Sequence, residues 1–125
     1  VTAPFLMMQQ LIESIKKSKN GKIVNIASSS AYGGGSNTSV YCASKHALLG
    51  LSRSLFKELK TDGIKVFCIS PGSIQTDMGK EVEKLGQLYE TFMTPEEVSE
   101  YIFSATSFDG HMISEEIRLN RVFVQ

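Results

Sequence analysis

Hydrophobic residues along this chain change spacing in a regular order, from helical periodicity to short continuous runs and back. Residues 3–18 and 39–60 place apolar side chains at helical intervals, which is typical of helices with one buried face. The compact apolar runs at 23–27 and 64–69 have the composition of strands in a buried parallel sheet. The first half of the chain therefore predicts helix, strand, helix and strand in that order.

A third long helix is predicted over 94–106, because its start carries three separate signals. Thr94 can cap the helix, Pro95 suits its first turn, and Glu97 completes a capping box.

The order of the elements predicts an α/β fold. Residues 77–90 predict one short helix, a turn follows at 107–110, and a final strand is expected within 117–124. Alternating helices and strands imply parallel strands joined by right-handed crossovers. About three strands with flanking helices make a thin sheet, and we expect one edge of it to pair with further polypeptide.

Composition narrows the possible partners. Apolar residues make up 42% of the chain and charged residues 21%, as in ordinary globular proteins. Thirteen basic and thirteen acidic residues cancel, which argues against a nucleic-acid partner. No apolar stretch approaches the roughly 18 residues of a membrane helix, so no membrane association is expected. Cys42 and Cys68 are expected to be free, buried thiols, and this favours a cytoplasmic location.

Tyr41 and Lys45 are the residues that point most directly to chemistry. They are four positions apart, so they share one face of the predicted helix. A tyrosine has an ordinary pKa of about 10, and a neighbouring ammonium lowers it by favouring the phenolate. Such a pair is suited to proton transfer near neutral pH.

Two further segments follow the predicted strands. Ser28 comes directly after the first strand, and its hydroxyl can hydrogen-bond a substrate oxygen. Pro71 and Gly72 follow the second strand, where a glycine lets the backbone approach a flat ligand. Ligands of open α/β sheets bind at the carboxyl ends of the strands. We therefore expect these segments to form one site with Tyr41 and Lys45.

These residues resemble the short-chain dehydrogenase/reductase family. The resemblance extends to about Met78 and implies an NAD(P)-dependent oxidoreductase acting on a small carbonyl or alcohol substrate, with NAD or NADP as cofactor. It further implies that residues 1–125 form a single partial domain, the C-terminal half of a Rossmann-like doubly wound parallel sheet. The similar segments are Asn25–Ser28, Tyr41–Lys45, Gly50–Leu55, Glu58–Leu59, Gly63–Val66 and Pro71–Thr76.

The resemblance also assigns roles to individual residues. It makes Tyr41 the general acid/base, Lys45 the residue that lowers the tyrosine pKa and binds the nicotinamide ribose, and Ser28 the residue that orients the substrate. The cofactor-binding residues that it implies are Tyr41, Lys45, Pro71, Gly72, Ile74 and Thr76.

The family's glycine-rich phosphate loop does not occur in this sequence. We therefore expect the C-terminal half of a longer enzyme, and expect the 125-residue chain by itself to bind NAD(P) weakly or not at all and to be inactive. The alternatives are a non-catalytic truncated family member that acts through dimerisation, and a proteolytic fragment of an ordinary enzyme. Family dimers use helices matching 3–18 and 39–60, so a homo-oligomer through these helices is expected.

Two other patterns favour structural roles. Gly33, Gly34 and Gly35 lie between a strand and a helix, but the third position of a dinucleotide fingerprint is Thr38, which favours a plain loop. Cys42 and His46 are only half of a zinc site, so we expect packing there and no metal.

Overall fold

The computed structural model describes residues 1–122 of the chain. Each predicted helix and strand is present there, and the three long helices and the first two strands have bounds within two residues of those predicted. The helices are α1 (Thr2–Lys16), α2 (Ser39–Leu59), α3 (Asp77–Glu83) and α4 (Pro95–Ser107), and the strands are β1 (Lys22–Ile26), β2 (Lys65–Pro71) and β3 (Glu116–Leu119).

The three strands form one parallel sheet in the order β1-β2-β3, which confirms the predicted α/β class. Ile26 of β1 lies opposite Ile69 of β2, and Ile69 lies opposite Ile117 of β3. The carboxyl ends of β1 and β2 therefore meet at one edge of the sheet. Residues 123 and 124 of the predicted final strand lie outside the described residues.

Side chains of β2 alternate between two cores on opposite faces of the sheet. Val66 and Cys68 face the layer formed by α1 and α2, whereas Phe67 and Ile69 face α4. All four side chains are almost completely buried. Full burial of an aliphatic or aromatic side chain contributes about 1.5–3 kcal/mol, so this central strand anchors both helical layers.

The prediction that the first strand is buried on both faces is wrong for β1. Ile23 and Asn25 are buried beneath the α1 and α2 layer, but Val24 and Ile26 on the opposite face are 39% and 46% exposed. The apolar run at 23–27 predicts a fully buried strand, because such runs are typical of parallel sheets covered by helices on both faces. Among the described residues, α4 covers that side of β2 and β3 only.

The predicted helix ends are confirmed at atomic detail. The Thr94 amide donates to Glu97 Oε2 at 3.0 Å, and the Glu97 amide donates to Thr94 Oγ1 at 3.2 Å, which completes the capping box. Gly63 ends the turn that follows α2 with a φ of 71°, a left-handed conformation that glycine adopts without strain.

Candidate functional site

Tyr41 and Lys45 lie side by side in the first two turns of α2, as their spacing predicts. The Lys45 ammonium is 5.7 Å from the centre of the Tyr41 ring. Lys45 Nζ also donates a hydrogen bond of 3.1 Å to the carbonyl oxygen of Ile26, the last residue of β1. The Tyr41 side chain is 40% exposed, so the phenol can meet a molecule from solvent. The pair is thus accessible and fixed to the end of a strand.

Ser28 lies just beyond the same end of β1. It is buried, and its Oγ accepts a hydrogen bond of 3.1 Å from the amide of Ser30, which caps a short turn over Ser29–Ala31. A hydroxyl has one proton to donate in addition to its two lone pairs. The cap therefore fixes the oxygen and leaves the Ser28 proton available for a second acceptor.

The segment after β2 begins with Pro71 and Gly72. The Gly72 amide donates to the carbonyl of Leu119 at 2.8 Å, so this segment is tied to the end of β3. A Cβ added at Gly72 would meet neighbouring atoms no closer than 3.5 Å, so packing within the chain does not require a glycine there. A glycine therefore occupies a position that a small side chain could fill within this chain, as expected if a flat ligand approaches the backbone there.

Ile74 and Thr76 are held by α3 and by the strand-like segment near Met93. Ile74 pairs with Met93 in an isolated parallel bridge, and Thr76 Oγ1 caps α3 by accepting from the Gly79 amide at 3.1 Å. A Cβ at Gly79 would lie only 2.1 Å from the Ile74 carbonyl oxygen. Sequence analysis missed this close approach, since a glycine within a short helix gives no local sign of it.

The structure brings the predicted site residues to one edge of the sheet. Ser28 follows β1, Pro71 ends β2 beside it, and Lys45 is bonded to the last carbonyl of β1. The Thr76 hydroxyl accepts from the Gly79 amide in the helix cap and donates to the Ile74 carbonyl oxygen at 3.5 Å, so it is engaged as both acceptor and donor within this segment. This edge is where open α/β proteins bind their ligands.

A polar cluster beside this edge was missed by sequence analysis. Arg53 of α2 donates to Glu116 of β3 through Nε at 2.5 Å and Nη2 at 3.0 Å, and the Tyr32 hydroxyl donates to Glu116 Oε2 at 3.1 Å. The Arg118 guanidinium lies 4.4 Å from the centre of the Tyr32 ring. The partners are 63 and 84 positions apart in the chain, so no local pattern could indicate them.

The contacts within this cluster shift the pKa values of Glu116 and Tyr32. The hydrogen bond from Arg53 is the main cause that lowers the pKa of Glu116 below its ordinary value. Burial, and then the hydrogen bond to Glu116, raise the pKa of Tyr32 above its ordinary value. The cluster therefore holds an ionised carboxylate against a neutral phenol.

The remaining candidates have structural roles. Cys42 and Cys68 are free and buried, as predicted. His46 Nδ1 lies 2.9 Å from the Cys42 carbonyl oxygen, within the helix. Within residues 1–122, no group of three potential metal ligands comes together, and no helix has the length and apolar character required to cross a membrane.

The fold, together with the polar edge of its sheet, places this chain in one structural class. A parallel sheet with helices on both faces, and with polar side chains after its strands, is the open α/β class that binds ligands at its carboxyl edge. The chain belongs to the short chain dehydrogenase family, whose model matches residues 1–85. The resemblance inferred from the motifs is confirmed.

Individual relatives show how much of a family member this chain represents. Secoisolariciresinol dehydrogenase of Forsythia intermedia is 42% identical over 81 residues, which are 65% of this chain and 29% of that protein. The solved structure of 4-hydroxyisoleucine dehydrogenase complexed with NADH is 31% identical, with a TM-score of 0.79 over 97% of this chain and 54% of that one. A short chain dehydrogenase of Shigella flexneri complexed with NADP is 26% identical, with a TM-score of 0.82 over 96% of this chain and 49% of that one.

The chain spans 29% to 52% of the length of the curated relatives that it matches. The activity of those whole proteins therefore does not transfer to this chain without an argument from its own residues.

Proposed function

We propose that this chain supplies the catalytic half of an NAD(P)-dependent oxidoreductase that acts on a small carbonyl or alcohol compound. Family membership supports this proposal, as do the solved relatives that hold NADH and NADP. The single observation that carries it is the placement of Lys45, which lies beside the Tyr41 ring and is bonded to the carbonyl of Ile26, two residues before Ser28.

In the proposed reaction, Tyr41 gives its phenolic proton to the oxygen of a carbonyl substrate or removes it from an alcohol. The Lys45 ammonium, which lies beside the Tyr41 ring, stabilises the negative charge that develops on the phenol oxygen during proton transfer. Ser28 donates its free proton to the same substrate oxygen and orients it. A bound nicotinamide would supply or accept the hydride at the substrate carbon.

The described residues are better suited to hold the nicotinamide end of the dinucleotide than its phosphates. Gly72 has no side chain although a Cβ would fit there, and Pro71 before it ends β2. The segment from Pro71 through Ile74 to Thr76 is therefore proposed to hold the nicotinamide, with Tyr41 and Lys45 at its ribose. Gly33 and Gly34 lie in an open loop, where an added Cβ would contact nothing within 4 Å. Nothing about that loop indicates a phosphate cradle, so the 125-residue chain is proposed to bind NAD or NADP weakly and to be inactive by itself.

Titration calorimetry with NADH and NADPH tests this assignment, with Tyr41→Phe as the site variant. We expect no binding to the isolated chain up to millimolar cofactor, and micromolar binding to the polypeptide as its gene encodes it. Turnover of a carbonyl compound by the isolated chain would contradict the proposed dependence on further polypeptide. A cytoplasmic location belongs to the same proposal, because the free buried thiols suit a reducing compartment.

A second candidate function is self-association through α1 and α2, with no catalysis by this chain. Several large apolar side chains of α1 are exposed, and Met7, the most exposed of them, is 61% exposed. Phe5, Leu6 and Leu11 are also exposed on this helix, as is Val40 at the start of α2. Exposed apolar patches of this kind mark interaction sites.

Light scattering distinguishes the two candidates. We expect Met7→Glu to dissociate an oligomer formed through α1, and Phe103→Glu, which changes an even more exposed apolar side chain on α4, to leave it intact. A monomeric wild-type chain would rule out the self-association candidate and leave the catalytic proposal untouched.

A further inference from the structure

We propose that Glu116 and Tyr32 are positioning residues, which lock the segment after Ser28 and the helix that carries Tyr41 and Lys45 to strand β3. This inference rests on the proposed function, because it concerns the geometry of that same site. It assigns a role to residues on the far strand of the sheet, distant in sequence from the acid/base pair.

The first contact joins the helix to the strand. Arg53 lies two turns beyond Lys45 on α2, and its guanidinium makes two hydrogen bonds to the two oxygens of Glu116. A bidentate pair of this kind fixes orientation as well as distance. Rotation or sliding of α2, which would displace Lys45, therefore requires both bonds to break.

The second contact joins the loop to the strand. The Tyr32 hydroxyl donates to the same Glu116 carboxylate, and the Tyr32 ring lies beneath the Arg118 guanidinium. Tyr32 is only four residues beyond Ser28, and the short turn between them is capped by Ser28 itself. The Tyr32 side chain is thus held at two points, its hydroxyl by Glu116 and its ring by Arg118.

Tyr32 is also the last well-packed residue before an open stretch. Gly33 and Gly34, which come next, have space around them into which a Cβ would fit without contact. Thr38, at the start of α2, makes no side-chain cap of the helix. Within the loop between β1 and α2, Ala31 packs into the core beside Cys68, and Tyr32 adds a polar link to β3 through the Glu116 carboxylate.

Two variants separate this role from ordinary stabilisation. Tyr32→Phe removes one hydroxyl and keeps the ring beneath Arg118. Glu116→Gln removes the negative charge to which both Arg53 and Tyr32 donate hydrogen bonds. The matched control is Asp109→Asn, which removes a carboxylate that accepts from Asn20 at 2.8 Å and Lys22 at 3.3 Å, away from the proposed site.

The experiment measures kcat, KM, the pH profile of kcat and the thermal midpoint in the polypeptide as its gene encodes it. Small displacements of catalytic groups cost rate out of proportion to stability, so we expect Tyr32→Phe and Glu116→Gln to lower kcat about tenfold with KM changed less than about twofold. The pH profile of kcat should change in the same two variants and keep its wild-type form in Asp109→Asn. Asp109→Asn should lower the midpoint without changing kcat. Equal kcat in all three variants would overturn the proposal.

Hydrogen exchange supplies a readout that does not depend on activity. Exchange of the amides in residues 29–38 should accelerate about tenfold in Tyr32→Phe and stay at the wild-type rate in Asp109→Asn. Unchanged exchange in Tyr32→Phe would overturn the positioning role even in an active enzyme. Accelerated exchange in Tyr32→Phe, together with no NAD(P)-dependent turnover by the wild-type protein, would retain the positioning role of Tyr32 and reject the proposed function.

Discussion

Lys45 donates its hydrogen bond to the carbonyl oxygen of Ile26 at 3.1 Å, so a helix that carries an acid/base pair is bonded to the end of a strand. The same ammonium lies 5.7 Å from the Tyr41 ring. One cation thus connects the two elements that bear Tyr41 and Ser28. Removing it should affect chemistry more than folding, because the bond is exposed and its loss leaves no buried charge.

Replacement of Lys45 by methionine should reduce turnover by about 100-fold or more, the usual range for loss of an acid/base function. Methionine keeps an unbranched side chain of similar length but has no positive charge beside the Tyr41 ring and no donor for the Ile26 carbonyl. Steady-state kinetics on the polypeptide as encoded measure the effect. Lys57→Met, on an exposed part of the same helix, is the control and should retain full turnover. Equal loss in both variants would indicate a general effect of charge and not a role for Lys45.

A pair of glycine substitutions tests how α3 holds the proposed nicotinamide segment. Gly79→Ala should destabilise the fold by about 1–3 kcal/mol, because its Cβ would lie 2.1 Å from the Ile74 carbonyl oxygen. Gly50→Ala, in α2 with open space around it, should stabilise by about 0.5–1 kcal/mol through helix propensity. Urea denaturation measures both. An unchanged free energy of unfolding in Gly79→Ala would show that the close approach of α3 to Ile74 does not require a glycine.

The capping box at the start of α4 makes a third prediction. Thr94→Ala removes the acceptor for the Glu97 amide and should cost about 1 kcal/mol of unfolding free energy. Thr61→Ala changes an exposed threonine and should cost much less. If the two substitutions have equal effects on the urea midpoint, the cap does not stabilise α4.

The sequence predicts those parts of the fold and site that depend on neighbours along the chain. Tyr41 and Lys45 lie together because four residues make about one helical turn, and Thr94 with Glu97 follows the same local geometry. The exposure of Val24 could not be predicted, because it depends on which layers cover each face of the sheet.

Contacts across the sheet could not be predicted from the sequence either, because they depend on which strands are neighbours in space. Glu116 meets Tyr32 because β3 lies next to β2 in the sheet and β2 next to β1, an order that the alternation of elements does not determine. The 2.1 Å approach at Gly79 likewise depends on how α3 folds back on Ile74.

The Glu116 cluster makes stability depend on pH at both ends of the range. Its hydrogen bond from Arg53 lowers the pKa of Glu116, so the unfolded state binds a proton at higher pH than the folded state does. The stability from this group is therefore present above its unfolded pKa of about 4.3 and is lost as the pH falls through the lower folded pKa. Burial raises the pKa of Tyr32, so stability from that phenol is present below pH about 10 and is lost as the pH rises further.

Urea denaturation from pH 7 to pH 3 tests the acidic limb. The wild type should be more stable than Glu116→Gln at pH 7, and the difference should shrink steadily below about pH 5, because a protonated Glu116 no longer attracts Arg53 as an ion. Asp109 also has a lowered pKa, caused first by its hydrogen bond from Asn20, so Asp109→Asn shows how much acid sensitivity belongs to that second carboxylate. If the difference in unfolding free energy between wild type and Glu116→Gln stays constant down to pH 3, the charge of Glu116 does not contribute to stability. The effect of the substitution would then come from neutral hydrogen bonding and packing alone.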